Sequence, residues 1–199
     1  MINDRYKPLA QVAVCTGGCY VGGALNPAFV EADSPAIEVM TDLTKIPPAT
    51  VSPQDTLHTA NQNMLLRGVR LLLVVERNGR ISGVVTARDL MGEKPILVAQ
   101  ARGAKREELE VRDVMTSLEV MEAIKLSDVM RAEVGHIVAT LKACGRQHTL
   151  VIEEDQETSK QTLRGIFSAS QIARQLGVEL TTFEVARTFA EIEAAIAGV

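Results

Sequence analysis

The sequence predicts an α+β fold in which two tandem β-α-β-β-α repeats pack as a pseudo-twofold pair. The octapeptide Gly-Val-Val-Thr-Ala-Arg-Asp-Leu at 83–90 recurs as Gly-Ile-Phe-Ser-Ala-Ser-Gln-Ile at 165–172. The tripeptide Val-Met-Thr at 39–41 recurs at 114–116, which is 114 − 39 = 75 residues later. Strand and helix signals follow in the same order after each tripeptide. Agreement along a whole series of elements indicates an internal duplication.

Composition places the chain among soluble globular proteins. Its 199 residues are 46% apolar, and the net charge of −4 is spread over both signs along the chain. Such a balance gives no reason to expect nucleic acid or an anionic membrane as a partner. No apolar run approaches the roughly 18–20 residues of a membrane helix. The apolar stretch before Cys15 is too short for a signal peptide, so we expect a cytoplasmic protein with reduced thiols.

The chain divides into five segments. We expect an irregular N-terminal arm at 1–35, the first repeat at 36–92, a linking helical segment at 93–110, the second repeat at 111–177 and a C-terminal helix at 178–199. The arm carries Cys15 and Cys19, which could hold a metal or form a redox disulfide. Two reduced thiols are the favoured interpretation, because no further Cys or His lies at zinc-motif spacing.

In the first repeat, Ser52 is a candidate N-cap, with Pro53 at the first position of a helix that runs to Arg67. Gly68 ends this helix. Its predicted inner face consists of Leu57, Ala60, Met64 and Leu65. Strands at 69–76 and 80–85 follow, joined through Asn78-Gly79, a strong hairpin signal.

After a break at 91–95, the segment 96–110 has helical composition. The second repeat then has a helix at 128–143, strands at 148–153 and 163–167, and a polar hairpin tip at 155–161. The inner face of that helix is predicted to consist of Val129, Val134, Ile137, Val138 and Leu141. Cys144 at its end is expected to be buried. Thr181 or Thr182 is the predicted cap of the C-terminal helix. Its apolar stripe consists of Val185, Phe189, Ile192 and Ile196. This stripe is either part of the core or a partner surface.

The octapeptide and its copy combine two kinds of chemistry. Thr86 and Ser168 stand where a strand runs into a helix, and backbone N–H groups at a helix start favour an anion. Asp89 and Gln171 lie one turn further along the same face, so a phosphate and a sugar could be held together. The alternative is that each pair forms a capping box. The duplication favours two copies of one site.

These motifs resemble the cystathionine-β-synthase (CBS) domain family over about 36–176. The resemblance implies clefts that bind an adenine nucleotide or S-adenosylmethionine as a regulatory ligand, with no catalytic cofactor and no metal. In the first site, Thr86 and Arg88 would meet phosphate and Asp89 the ribose hydroxyls, and adenine would lie against Thr41, Thr50, Val51, Leu71 and Leu72. The corresponding second-site residues are Ser168, Gln171, Thr116, Lys125, Leu126, His148 and Thr149.

Two departures from the family pattern matter for the sites. Gln171 replaces a carboxylate, so the second site should bind ribose about tenfold more weakly. Leu73 and Leu150 replace prolines, which changes the local strand shape. We therefore expect the first site to be the one that is filled.

The leading hypothesis is a free-standing regulatory module that acts on an unidentified partner protein, as a homodimer like its family. An enzyme is not expected, because no nucleophile stands beside a base and no metal set is complete. The remaining alternative is an interaction protein whose pockets are vestigial. His148 in particular could be a structural residue instead of a ligand contact.

Overall fold

Two four-stranded sheets covered by helices form the described part of the molecule, and this architecture confirms the predicted fold class. The computed structural model describes residue 11, residues 29–178 and residues 185–197. The strands are β1 (Thr41–Asp42), β2 (Thr50–Val51), β3 (Leu71–Val75), β4 (Ile81–Thr86), β5 (Thr116–Ser117), β6 (Ala123–Lys125), β7 (His148–Glu154) and β8 (Gln161–Ser168). The α-helices are α1 (Leu57–Arg67), α2 (Ala87–Met91), α3 (Lys94–Arg102), α4 (Val111–Val114), α5 (Leu126–Val129), α6 (Val134–Ala143), α7 (Ala169–Gln175) and α8 (Val185–Ala197).

The two repeats exchange their opening strands. One sheet has the order β2-β3-β4-β5, so β5 of the second repeat completes the sheet of the first. The other sheet has the order β6-β7-β8-β1, in which β1 of the first repeat takes the same place. β2 and β6 run parallel to their neighbours, whereas β5 and β1 run antiparallel to theirs. The two sheets are thus equivalent, as a pseudo-twofold pair requires, but the exchange was not predicted from the sequence.

The glycine that opens each octapeptide is explained by this exchange. A Cβ atom on Gly83 would lie 2.4 Å from the carbonyl oxygen of Thr116. A Cβ atom on Gly165 would lie 2.4 Å from Sδ of Met40. Carbon and oxygen or sulfur atoms do not approach so closely, so a side chain at either position would force the opening segment of the other repeat to shift.

An ion pair also holds the exchanged strand β1. The guanidinium of Arg164 on β8 contacts the carboxylate of Asp42, and its Nη1 lies 3.2 Å from Oγ1 of Thr44. The hydroxyl and backbone N–H of Thr44, together with Arg164, lower the pKa of Asp42 to about 2. The carboxylate of Asp42 therefore stays charged near neutral pH.

Three apolar clusters form the core of the part of the chain that the structure describes. One lies between the two sheets and contains Leu71, Leu73, Val84 and Leu150. The others lie between each sheet and its helices, and Leu72 and Val74 belong to the cluster of the first repeat. Neighbouring residues of β3 thus point to opposite faces, as the two-residue period of a strand requires.

Helix α1 differs from its prediction at the start and on one face. It begins at Leu57, because Thr56 caps it by accepting a hydrogen bond from the backbone N–H of Thr59. The predicted cap, Ser52, instead lies in a preceding turn, where its N–H donates to Asp55 at 2.9 Å. Leu65 was predicted to face the core but is 68% exposed. The end of α1 is confirmed, since Gly68 adopts a left-handed conformation with φ of 63°.

The hairpin between β3 and β4 is confirmed. The backbone N–H of Glu76 donates to the carbonyl oxygen of Arg80 at 2.8 Å, and Gly79 has a φ of 82°. Asn78 accepts a hydrogen bond from the N–H of Arg80 at 3.0 Å. A positive φ at this position is a conformation in which glycine meets no steric penalty.

In the linking segment, α3 begins at Lys94, so Pro95 lies in the first turn of a helix that was predicted to begin after it. The chain then forms a short 3-10 helix at Arg106–Glu108 and reaches α4. Proline is tolerated there because the first-turn N–H groups have no partner within the helix.

The second repeat has two helices where one was predicted at 128–143. The chain leaves α5 after Val129 and enters α6 at Val134. All five residues of the predicted inner face are nevertheless buried: Val129, Val134, Ile137, Val138 and Leu141. Cys144 was expected to be buried but is exposed.

Helix α8 packs on the second repeat. Phe189 and Ile192 are buried in the same cluster as the inner residues of α6 and α7, and Glu193 forms an ion pair with Lys142 at 2.5 Å. The stripe is therefore core at these two positions, whereas Ile196 is 38% exposed. The threonines proposed as its caps lie outside the described residues, as do Cys15 and Cys19. Within the described residues, the helices are too short or too polar to cross a membrane.

Candidate ligand-binding site

The first octapeptide forms a strand-to-helix junction whose carboxylate is held in place by its own helix. The Oδ2 atom of Asp89 accepts from the backbone N–H of Thr86 at 2.9 Å and from its hydroxyl at 2.7 Å. The N–H of Asp89 in turn points to Oγ1 of Thr86 at 3.3 Å. The capping box that was the alternative interpretation is thus present here. It leaves the second carboxylate oxygen, Oδ1, for other partners.

Lys94 supplies a partner for that oxygen. Its Nζ lies 3.3 Å from Oδ1 of Asp89 and 3.3 Å from the carbonyl oxygen of Met115. The side chains of Asp89 and Lys94 are 18% and 40% exposed. Sequence reasoning missed Lys94 because the contact crosses the turn between α2 and α3, where helical spacing gives no guide. We call Thr86, Asp89, Lys94, Met115 and Thr116 the first junction.

The second octapeptide forms a different junction. The hydroxyl of Ser168 lies 3.0 Å from that of Ser170 and makes no capping bond, so the predicted second capping box is absent. Gln171 instead accepts a hydrogen bond from the hydroxyl of Thr41 at 2.9 Å. We call Thr41, His148, Ser168, Ser170 and Gln171 the second junction.

The exchange of opening strands reverses two predicted assignments. Thr41 was assigned to the first site, but it lies on β1 and bonds to Gln171 of the second junction. Thr116 was assigned to the second site, but it pairs with Val84 next to the first junction. The sequence order of the repeats suggested the opposite arrangement, because nothing in one chain reveals that strands are exchanged.

The strand register corrects a third assignment. Thr50 lies opposite Leu73 on β3, and the residue opposite Leu150 on β7 is Ala123. The equivalent of Thr50-Val51 in the second repeat is therefore Ala123-Ile124 and not Lys125-Leu126. The 75-residue displacement fails here because Thr50 follows Thr41 by nine positions, whereas Ala123 follows Thr116 by only seven.

Three of the predicted adenine contacts are buried apolar side chains. Val51 and Leu72 lie in the core under the helices of the first repeat, and Leu71 lies between the sheets. Their side chains are thus occupied by core packing. Thr50 and Arg88 are exposed.

His148 occupies the position that Leu71 has in the first repeat. It pairs with Ser168 across β7 and β8, as Leu71 pairs with Thr86 across β3 and β4. Burial lowers the pKa of His148 to about 4, and the nearby charge of Arg70 contributes. The imidazole is therefore neutral near pH 7. Arg70 also contacts Gln147, its own equivalent in the second repeat, with Nη2 3.5 Å from Oε1.

His148 and Thr149 line a cleft of about 220 Å³ between α6, β6 and β7. Of the second junction only His148 lines this cleft, because Thr41, Ser168, Ser170 and Gln171 are not among its lining residues. The full lining is Glu122, Ala123, Ile124, Thr140, Leu141, Cys144, Arg146, His148 and Thr149. In the described part of the chain, no three His, Cys, Asp or Glu side chains are grouped so as to hold a metal ion.

Comparison with known structures supports the fold. An uncharacterised conserved protein of Pyrococcus horikoshii superposes with a TM-score of 0.53 at 19% identity, covering 77% of this chain and 100% of its own. A CBS-domain-containing protein of Agrobacterium tumefaciens has a TM-score of 0.50 at 17% identity, with 79% and 98% coverage. CBSX2, solved in complex with AMP, has a TM-score of 0.50 at 18% identity, with 71% and 94% coverage.

Sequence comparison matches part of the chain to a family model. No curated protein sequence matches the chain. The family model of the CBS domain matches residues 36–95, a range that includes Thr86, Asp89 and Lys94. Residues 36–95 therefore match the CBS domain, and the chain has a fold similar to that of the CBS-domain-containing protein of Agrobacterium tumefaciens.

Proposed function

We propose that this chain is a regulatory module that binds an adenine nucleotide at the first junction. The observation that carries the proposal is the part-buried carboxylate of Asp89, which keeps one oxygen beside the ammonium of Lys94. This pair lies at a strand-to-helix junction inside the matched CBS domain. The complex of CBSX2 with AMP shows that a protein of similar fold accepts such a ligand.

Each group of the first junction has a role in this proposal. Oδ1 of Asp89 accepts hydrogen bonds from the ribose hydroxyls, while the capping box holds the carboxylate in place. Thr86 and the exposed Arg88 lie towards the phosphate. The backbone of Leu71, the cross-strand neighbour of Thr86, and that of Thr116 border the adenine.

The second junction is proposed to bind more weakly. Its amide oxygen on Gln171 is already used by Thr41, and a neutral acceptor contributes less than a carboxylate. A ribose there would have to share that oxygen with the hydroxyl of Thr41.

The exchanged strands would let a ligand at the first junction influence both repeats. Met115 and Thr116 belong to the opening segment of the second repeat, yet they border the first junction. A ligand at this junction therefore touches both repeats and can favour one arrangement of the pair over another. That change would be passed to a partner protein. The homodimer expected from the resemblance stays a prediction, which sedimentation velocity would check.

Thermal unfolding in the presence of AMP, ADP, ATP and S-adenosylmethionine tests the proposal. A ligand at 100 times its dissociation constant adds about 2.7 kcal/mol to the free energy of unfolding. Asp89→Asn should remove most of that ligand-induced increase, because the ribose loses a charged acceptor. Asp113→Asn is the matched control: Asp113 is also the capping-box residue of a helix and also pairs with a cation of α3, Arg102 at 2.6 Å.

Each result has a clear consequence. An unchanged ligand effect in Asp89→Asn would move the binding site away from the first junction. If none of the four ligands raises the unfolding temperature, the alternative of an interaction protein with vestigial pockets gains support. That alternative draws on the apolar residues that α1 and α3 present to solvent: Leu65, Leu66, Ile96 and Leu97, which are 68%, 82%, 53% and 60% exposed.

A further inference from the structure

We propose that Lys94 makes the first junction selective for adenosine ligands that carry phosphate over uncharged adenosine. This inference rests on the proposed function and deepens it, because it names the charge class of the ligand and the residue that determines it. Lys94 lies outside the octapeptide, on the helix that links the two repeats.

The charge of Asp89 creates the need for Lys94. A carboxylate that binds a ribose also repels the phosphate attached to that ribose, and the repulsion is stronger in a part-buried site than in water. The ammonium of Lys94 lies 3.3 Å from this carboxylate. Together the two side chains are neutral, so an anionic ligand can approach.

Lys94 also has the means to reach the phosphate. An ammonium group has three N–H donors, and two acceptors surround it, Oδ1 of Asp89 and the carbonyl oxygen of Met115. Its side chain is 40% exposed on a flexible four-carbon stem. A carboxylate oxygen has two lone pairs, so a ribose hydroxyl can share Oδ1 with Lys94.

The second repeat provides an internal comparison. The octapeptides are displaced by 168 − 86 = 82 residues, and the same displacement takes Lys94 to position 176, which is Leu176. Leu176 is packed against the apolar core of its repeat. The repeat with a carboxylate in the octapeptide has a cation at this position, whereas the repeat with the neutral Gln171 has an apolar residue.

Isothermal titration calorimetry with AMP and adenosine tests the inference on the full chain. Lys94→Met should weaken AMP binding roughly tenfold and change adenosine binding less than about twofold, while Lys94→Arg should recover most of the AMP affinity. Arg102→Met is the matched control. It removes a cation from the same helix and breaks the ion pair with Asp113, and it should leave the ratio of the two affinities unchanged.

Three outcomes would overturn the inference. Equal losses for AMP and adenosine in Lys94→Met would show that Lys94 only positions Asp89. An unchanged AMP affinity would show that Lys94 has no part in binding. Failure of the unaltered protein to bind any of AMP, ADP and ATP would overturn the proposed function itself, and this result is distinct because it needs no substitution. Lys94→Gln, which keeps a donor for the carbonyl of Met115, replaces Lys94→Met if the methionine variant does not fold.

Discussion

At the scale of single residues, the two repeats differ in character at one pair of equivalent positions, Leu71 and His148. Leu71 is the cross-strand neighbour of Thr86, and His148 is the cross-strand neighbour of Ser168. Thr86 and Ser168 each precede the first residue of a helix. Leucine suits the apolar space between the sheets. Histidine in the same place is desolvated and lies near Arg70, and both effects favour its neutral form. The position therefore makes the stability of the protein depend on pH.

The free energy of unfolding should fall as the pH decreases from 6.5 towards 4. In this range the unfolded chain, with an ordinary histidine pKa of 6.5, binds a proton that the folded protein does not bind, since the pKa of His148 is about 4 when folded. The full loss is about 3 kcal/mol once both states are protonated.

Urea unfolding at several pH values, compared between the unaltered protein and His148→Leu, measures this contribution. The leucine variant copies the first repeat and should show a shallower decline between pH 6.5 and 4. His58→Leu, which replaces an exposed histidine of α1, is the control. Identical pH profiles for His148→Leu and the unaltered protein would contradict the prediction.

At the scale of elements, each exchanged strand depends on the glycine beneath it, but the two contacts differ in kind. The atom that blocks a Cβ on Gly83 belongs to the backbone of β5, whereas the atoms that block a Cβ on Gly165 belong to the side chain of Met40. A backbone in a sheet cannot move without breaking its hydrogen bonds. A methionine side chain can adopt another rotamer.

Gly83→Ala should therefore destabilise the protein more than Gly165→Ala. We expect a loss of about 3 kcal/mol for the first substitution and about 1 kcal/mol for the second, within the range measured for overpacked cores. Urea unfolding measures both values. Met40→Ala should relieve the strain of Gly165→Ala in the double variant. Equal losses for the two glycine substitutions would show that the exchanged strand β5 is more mobile than its pairing indicates.

At the scale of the whole molecule, neither repeat is complete by itself. Each sheet lacks its outer strand without the other repeat. The apolar cluster between the sheets draws Leu71, Leu73 and Val84 from one repeat and Leu150 from the other. Separation would expose this cluster to water and leave two sheet edges unpaired.

We therefore expect residues 36–110 alone to show no cooperative thermal transition by circular dichroism. Mixing this fragment with residues 111–199 should restore a cooperative transition, because the exchanged strands and the central cluster can form again. A cooperative transition in the isolated first fragment would show that one repeat can be stable without the strand of the other.

Local elements of the fold could be predicted because their signals are local. The hairpin at Asn78-Gly79, the end of α1 at Gly68 and the buried face of α6 each depend on neighbouring residues. The start of α1 could not be predicted as well, because Ser52 and Thr56 are both good caps and the sequence does not show which of them the tertiary contacts favour.

The candidate site was predictable only in part. The octapeptide pointed to Thr86 and Asp89, whose mutual contacts lie within one turn of helix. Lys94, by contrast, reaches Asp89 across a turn, and Thr116 arrives from the other repeat. Contacts between residues far apart in sequence depend on how the elements pack, and no periodicity reports them.

The sequence by itself determined that this protein consists of two copies of one unit, with a carboxylate in the first octapeptide and an amide in the second. The tertiary structure alone decided which residues surround each of them. Thr41 and Thr116 each lie beside the octapeptide of the other repeat, because the opening strands are exchanged between the sheets. A sheet edge presents unpaired backbone groups that can pair with any strand that packing brings to it. Backbone hydrogen bonds do not distinguish the strands of one repeat from those of the other, so packing decides which strand fills the edge.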